Sequence, residues 1–191
     1  MRTIFIIHGS GGNPKENWFP WLKSELEKIG EHVIVPQFQI PNPPAPGGHK
    51  LSVWLKKMDE YKDHINSETI IVAHSRGCIF TYRFLENLTV PVSAVFLVAP
   101  WINFFWYPKG YTGIDSFHAT PFNWQKIKSG SRYFEIYQST NDDTPIAEGR
   151  EIAEKLGGKL IIVKNAGHFN TTYDPKYKKF DLLLQNIKRV L

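Results

Sequence analysis

Three residue types that together can activate a hydroxyl group occur along this sequence in the order serine, aspartate, histidine. Ser75 lies in the segment Ala-His-Ser-Arg-Gly, Asp142 in Ser-Thr-Asn-Asp-Asp, and His168 in Ala-Gly-His-Phe. A serine hydroxyl is a poor nucleophile until a base takes its proton, and a histidine ring oriented by an acid is such a base. This chain order is that of the triad in α/β-hydrolases, and it predicts nucleophilic acyl transfer.

The surroundings of Ser75 predict a sharp turn between a strand and a helix. A β-branched run at residues 69–72 precedes the motif, and an apolar segment at residues 78–82 follows it. Small residues, Ala73 and Gly77, stand two positions before and two positions after the serine, as the crowded turn of a nucleophile elbow requires. A purely structural serine is the alternative, and the combination of strand, motif and helix disfavours it.

A glycine-rich turn after the first predicted strand supplies a second part of such a site. Residues 8–12 read His-Gly-Ser-Gly-Gly. Backbone N–H groups in a turn of this kind can face a developing oxyanion, and glycine lets the chain approach a substrate closely. We expect the N–H groups of Ser10 and Arg76 to form the oxyanion hole. The alternative, a phosphate-binding loop, lacks both the G-x-G-x-x-G spacing and the P-loop lysine.

The candidate acid and base each follow a predicted strand. Both should therefore lie at the carboxyl edge of a parallel sheet, where ligands bind in open α/β folds. Asp143 competes directly with Asp142 for the role of the acid, and the aspartate that does not orient the histidine would cap the following turn. Gly167 precedes His168 and frees the loop to turn inward, whereas a surface histidine is the alternative.

Strands and helices alternate along the whole chain. Apolar strands are predicted at residues 3–7, 33–35, 69–73, 92–98, 133–138 and 159–163. Helices are predicted at residues 18–29, 52–64, 76–87, 124–128, 147–156 and 177–190, with Ser52 as the cap of the second. Continuously apolar strands are typical of a parallel sheet that helices cover on both faces. We predict an α/β fold: a three-layer α/β/α sandwich with a mostly parallel central sheet, as one domain over residues 1–191 without a large lid domain.

Composition limits the class of protein and its partners. The chain has 191 residues and a net charge of +5, and its basic residues are scattered rather than gathered in a nucleic-acid-binding motif. No apolar run approaches the roughly 20 residues that span a bilayer. The single cysteine, Cys78, excludes an intramolecular disulfide and is typical of a reducing compartment. We expect a cytoplasmic protein that acts on a small-molecule ester, without nucleic acid, membrane, metal or organic cofactor.

An aromatic-rich segment between residues 100 and 124 follows the fourth predicted strand, so it should lie at the edge where ligands bind. Some of its rings must belong to the core, since so many cannot all face water. Trp101 and Phe104 are candidates for contact with substrate. The guanidinium of Arg76 is expected at the mouth of the site, where it either attracts an anionic acyl group or reaches solvent.

The sequence resembles the small serine hydrolases of the retinoblastoma-binding protein nine type, which are compact α/β-hydrolases. The resemblance covers almost the whole chain. It includes the glycine-rich turn, Trp-Phe-Pro-Trp-Leu at residues 18–22, the proline-rich passage at residues 36–48, and the segments around the candidate serine, acid and base. It implies a minimal α/β-hydrolase fold with Ser75 as the nucleophile, Asp142 as the acid and His168 as the base.

These observations predict hydrolysis of small carboxylic esters through an acyl-serine intermediate. Two alternatives use the same residues or the same fold. One is a thioesterase or peptidase, because a Ser-His-Asp triad serves all of these reactions. The other is a hydrolase-fold protein that acts mainly by binding a protein partner.

Overall fold

The computed structural model describes residues 2–40, 49–103 and 116–191. In this part of the chain six strands form one sheet in which all neighbours are parallel. The strands are β1 (Thr3–Ile7), β2 (His32–Ile34), β3 (Ile70–His74), β4 (Ala94–Val98), β5 (Phe134–Ser139) and β6 (Lys159–Val163). Each begins and ends within two residues of its predicted bounds.

Six α-helices accompany the sheet in the described residues. They are α1 (Phe19–Glu27), α2 (Leu51–Asp59), α3 (Arg76–Leu85), α4 (Trp124–Ser129), α5 (Ile146–Leu156) and α6 (Asp181–Lys188). Within these residues no helix has both the length and the apolar character that crossing a membrane requires.

The helix boundaries differ most from the sequence prediction at α2 and α6. The α2 helix ends at Asp59 rather than at residue 64, and a short 3₁₀ turn (Lys62–His64) follows it. Lys50 precedes α2 and its side chain makes no capping hydrogen bond, so the expectation that Ser52 caps this helix is wrong. The predicted closing helix is interrupted: a short 3₁₀ turn (Pro175–Lys178) is followed by extended backbone at Lys179, and α6 begins only after Phe180. The extended backbone lets the Phe180 ring pack in the core, which the periodicity of one continuous helix did not indicate.

The core consists of two apolar layers on opposite faces of the sheet. Successive side chains of a strand point to opposite faces, so Phe5 and Ile7 contribute to one layer and Ile4 and Ile6 to the other. Apolar residues of α2, α3, α4 and α5 complete the first layer, and those of α1 and α6 complete the second. This arrangement confirms the predicted α/β/α sandwich with a parallel central sheet.

The strand order, β2-β1-β3-β4-β5-β6, places a topological switch point between β1 and β3. The helix after β1 covers one face of the sheet, whereas the helix after β3 covers the other. The loops that leave the two strands therefore separate and open a crevice at the carboxyl edge of the sheet, which is where open α/β sheets bind their ligands.

Gly77, in the first turn of α3, lies against the backbone at the end of β1. A Cβ added at this glycine would lie 2.6 Å from the carbonyl oxygen of Ile7 and 2.8 Å from that of His8. Backbone atoms in a central strand cannot move aside as a flexible side chain can. The small residue two positions after Ser75 is therefore required by the close approach of the helix to a neighbouring strand.

We expect Gly77→Ala to lower the free energy of unfolding by about 1–3 kcal/mol, as overpacking of a core does. Urea denaturation measures the change. Gly149→Ala is the matched control, since this buried glycine also lies in a helix, but its added Cβ would first meet the side chain of Gln138, at 3.2 Å. Equal destabilisation by the two substitutions would contradict the proposed backbone clash.

Candidate active site

Ser75 occupies the turn between β3 and α3 in a backbone conformation that non-glycine residues rarely adopt. Its φ is 55° and its ψ is −124°. Such a conformation costs about 1–3 kcal/mol and persists only where the surrounding structure enforces it. Here the N–H of Ser75 donates to the carbonyl of Val98 at the end of β4, and its own carbonyl accepts from the N–H of Cys78, each at 2.9 Å.

The glycine-rich turn after β1 lies directly against the serine. A Cβ added at Gly9 would lie 2.9 Å from Cβ of Ser75 and 3.3 Å from its Oγ. The His8 ring holds this turn: its Nδ1–H donates to the Gly9 carbonyl at 2.9 Å, and its Nε2 accepts the N–H of Phe38 at 3.1 Å. Burial lowers the pKa of His8, which favours the neutral ring that this pair of hydrogen bonds requires.

His168 and Asp142 are in direct contact. Nδ1 of His168 lies 3.0 Å from Oδ2 and 3.1 Å from Oδ1 of the carboxylate, whose side chain is 0% exposed, against 15% for the histidine. The N–H of Thr144 also donates to Oδ1. The neighbouring Asp143 is exposed and accepts a hydrogen bond from the hydroxyl of Tyr173 at 2.7 Å. The two adjacent aspartates therefore have different partners, and the one that contacts the histidine is Asp142.

The loop that carries His168 is held by side chains from distant parts of the chain. Gly167 and Phe169, on either side of the histidine, have φ values of 53° and 51°. The His168 carbonyl accepts Nε2–H of His74 at 2.8 Å, and the next carbonyl, that of Phe169, accepts Nε1–H of Trp18 at 3.0 Å. These hydrogen bonds join the loop to the strand before Ser75 and to the start of α1.

His74 was not predicted to have a role, although it immediately precedes the candidate nucleophile. Its side chain is buried, and this burial lowers its pKa to about 3. The neighbouring His168 and His8 also lower this pKa, whereas the hydrogen bond to the His168 carbonyl raises it. The ring is therefore neutral near pH 7. Because Nε2 faces a carbonyl oxygen, Nε2 must carry the proton.

Ser75 and His168 line the same cavity, whose volume is about 240 Å³. Polar side chains form much of its described wall, and burial raises the pKa of Glu16, one of them. Asn17 is fixed there because its Oδ1 accepts both the N–H and the hydroxyl of Thr171. The described residues of the wall are Gly9, Ser10, Gly11, Glu16, Asn17, His74, Ser75, His168, Asn170, Thr171 and Thr172.

Five further polar residues of the wall had no predicted role: Glu16, Asn17, Asn170, Thr171 and Thr172. They come from the segment before α1 and the segment after His168, which are more than 150 residues apart. The only sequence signal was their position beside motifs already assigned to the site. Nothing in their local pattern indicates that the two segments face each other.

The other predicted site residues lie in varied surroundings. Ser10 lines the cavity and accepts a hydrogen bond from Nε of Arg76 at 2.6 Å. The Arg76 residue is 6% exposed, so the expectation that its side chain reaches solvent is wrong.

The two aromatic residues that were predicted to contact substrate are not part of the described cavity wall. Trp101 is 3% exposed, stacks on His118, and is absent from that wall. Phe104 lies outside the described residues.

Among residues 2–40, 49–103 and 116–191, no group of three or more histidine, cysteine, aspartate and glutamate side chains is arranged to hold a metal ion. The described residues place a hydroxyl, an imidazole, a carboxylate and backbone N–H groups at or beside this cavity.

Comparison with known proteins finds one matching family model and relatives of similar length. The family model described as serine hydrolase matches residues 4–186. Serine hydrolase RBBP9 of Rattus norvegicus is 30% identical over 199 aligned positions, covering 97% of this chain and 94% of the relative. The YdeN protein of Bacillus subtilis is 29% identical over 171 positions, covering 88% of this chain and 86% of the relative.

Solved structures agree with this assignment. The crystal structure of the Bacillus subtilis YdeN protein superposes with a TM-score of 0.86 at 26% identity, covering 100% of this chain and 98% of that one. An extracellular α/β-hydrolase from Paenibacillus has a TM-score of 0.69 at 13% identity, covering 100% and 99% of the two chains. The predicted α/β-hydrolase fold is thereby confirmed.

Replacing His74 by phenylalanine should change the pH dependence of stability. Because the pKa of His74 is about 3 in the folded protein and about 6.5 when unfolded, the unfolded chain binds more protons between these values. This group alone therefore lowers the free energy of unfolding by up to about 1.4 kcal/mol per pH unit on acidification below about pH 6.5. We expect His74→Phe to reduce the slope of the free energy of unfolding against pH by about that amount.

At pH 7 the same variant should be less stable by about 1–3 kcal/mol, since the buried carbonyl of His168 loses its donor. Urea denaturation at pH values between 7 and 4 measures both effects. His64→Phe, at an exposed histidine, is the control and should retain the wild-type slope. Identical slopes for the wild type and His74→Phe would refute a neutral, buried His74.

Proposed function

The chain belongs to the serine hydrolase family, and from this premise we propose that it hydrolyses small carboxylic esters through an acyl-serine intermediate. In this proposal Ser75 is the nucleophile, His168 is the general base, and Asp142 is the acid that orients it. The observation that supports the proposal most strongly is the contact between Asp142 and Nδ1 of His168 beside a cavity that Ser75 also lines.

In the first half of the reaction, Oγ of Ser75 attacks the ester carbonyl while Nε2 of His168 takes the hydroxyl proton. The contact with Asp142 favours the tautomer that has its proton on Nδ1, which leaves a lone pair on Nε2. The oxyanion of the tetrahedral intermediate accepts hydrogen bonds from the backbone N–H groups of Ser10 and Arg76. When the intermediate collapses, the alcohol leaves with the proton from His168.

In the second half, a water molecule attacks the acyl-serine and again gives a proton to Nε2 of His168. The second tetrahedral intermediate collapses to the carboxylic acid, and Ser75 regains its proton. In both halves the buried carboxylate of Asp142 stabilises the imidazolium that forms transiently, because an opposite charge in contact favours the protonated ring.

The size and polarity of the cavity support small esters as the substrate class. Its volume, about 240 Å³, is below the range of roughly 300–1,000 Å³ that is usual for sites of drug-sized ligands. Polar side chains such as Asn17 and Thr171 form part of the wall, and they offer hydrogen bonds rather than apolar contacts to the groups of a substrate. Short esters with polar substituents match these walls.

We expect a fluorophosphonate probe, which reacts with activated serines, to label the folded wild-type protein. Ser75→Ala should abolish both the labelling and the hydrolysis of p-nitrophenyl acetate, because the nucleophile is gone. Ser52→Ala, at an exposed position on α2, is the matched control and should keep both. A folded wild-type protein that neither reacts with the probe nor hydrolyses the ester would exclude the proposed function.

The adjacent aspartates allow a paired test of the acid. Asp142→Asn should lower kcat by about 10³–10⁴-fold, because an amide at this position favours the wrong tautomer of His168 and cannot stabilise the imidazolium. Asp143→Asn, which alters only the exposed contact with Tyr173, should change kcat by less than about threefold. Ester hydrolysis under saturating substrate measures both, and similar losses in the two variants would argue against Asp142 as the acid.

A further inference from the structure

The side chain of Arg76 is turned inward beneath the glycine-rich turn. Its Nε–H donates a hydrogen bond to Oγ of Ser10, with 2.6 Å between the two atoms, and hydrogen bonds from a charged donor are stronger than those between neutral groups. The contact joins the first residue of α3 to the turn after β1. It therefore links the two residues whose backbone N–H groups are the proposed oxyanion donors.

Ser10 lies inside a glycine-rich turn that one backbone hydrogen bond closes, from the N–H of Gly12 to the carbonyl of Gly9 at 3.3 Å. Gly9 precedes it and Gly11 and Gly12 follow it, and glycine restricts the backbone less than any other residue. Gly11 has a φ of 66°, and a Cβ added there would meet no atom within 4 Å. Packing against Ser75 holds Gly9, but the exposed Ser10 is one residue further from that support.

The guanidinium group of Arg76 is itself confined. It lies 5.8 Å from the ring centroid of Trp101 and 5.4 Å from that of Phe117, distances at which a cation is attracted to an aromatic ring. Both rings are buried. A long side chain held between two buried rings has few rotamers to choose from, so it can hold Ser10 in one place relative to α3.

We propose that Arg76 is a positioning residue, whose side chain holds Ser10 so that the backbone N–H of Ser10 faces the oxyanion formed at Ser75. The inference rests on the proposed function, because it assigns a purpose to that same site. It differs from both sequence expectations for the guanidinium, which were attraction of an anionic acyl group and exposure to solvent. In this role the guanidinium of Arg76 fixes the position of Ser10 and does not contact the substrate.

Ser10→Ala tests this role, since it removes Oγ from an exposed residue and leaves the backbone N–H in place. Loss of one oxyanion donor lowers kcat by about 10²–10³-fold, so a displaced donor should lower kcat by about 10-fold. KM for p-nitrophenyl acetate should change by less than about twofold, because the transition state alone carries the full charge. Ser10→Thr keeps a hydroxyl group and should restore most of the lost kcat.

A double-mutant cycle with Arg76→Met then assigns the effect to the contact itself. If Ser10 and Arg76 act through one hydrogen bond, that bond is already lost in the Arg76→Met variant. Adding Ser10→Ala to this variant should then lower kcat by less than about twofold. Thermal unfolding of each variant establishes that it is folded. Because Ser10 is exposed, the single Ser10→Ala variant remains informative even if the Arg76→Met variants fail to fold.

The outcomes separate this inference from the proposed function. Absence of ester hydrolysis by the wild type would overturn the proposed function, and the positioning role with it. Wild-type hydrolysis together with an unimpaired Ser10→Ala variant would overturn only the positioning role. Additive losses in the double mutant would also overturn it, since independent effects add for residues that do not act through a shared contact.

Discussion

The strained turn at Ser75 is the constraint on which the rest of this site depends. A positive φ at a serine is unfavourable, and three backbone neighbours enforce it: the end of β4, the glycine-rich turn after β1, and the first turn of α3. Gly9 and Gly77 allow the two closest approaches, because neither has a Cβ to separate the chains. The parallel sheet therefore does more than support the serine; its strand ends determine the conformation of the turn.

The second support of the site is a set of hydrogen bonds from side chains to the backbone of the loop after β6. Besides the His74 ring, Ser139 accepts the N–H of Ala166 at 2.9 Å and Asn141 accepts that of Gly167 at 2.7 Å. A loop outside regular secondary structure must satisfy its buried polar groups in this way. Since the partners lie at the ends of β3 and β5, the same edge of the sheet positions both His168 and Ser75.

Burial determines the charge states around the cavity. The two histidines beside the serine, His8 and His74, have lowered pKa values and act as neutral hydrogen-bonding rings. The carboxylate of Asp142 contacts the His168 ring, and the guanidinium of Arg76 lies near the buried rings of Trp101 and Phe117. The His8 and His74 rings already make hydrogen bonds to the backbone, so under the proposed function His168 is the ring that transfers the proton.

The sequence by itself determined the features that depend on local chemistry. Apolar runs and turn residues predicted all six strands to within two residues, and the crowding of a strand-to-helix turn explained the small residues around Ser75. Tertiary structure alone decided which of two adjacent aspartates contacts His168, where the Arg76 side chain lies, and which polar residues form the cavity. Each of these depends on contacts between segments far apart in the chain, and local periodicity carries no information about such contacts. Adjacent residues such as Asp142 and Asp143 have nearly the same local signal, and only the folded loop gives them different partners.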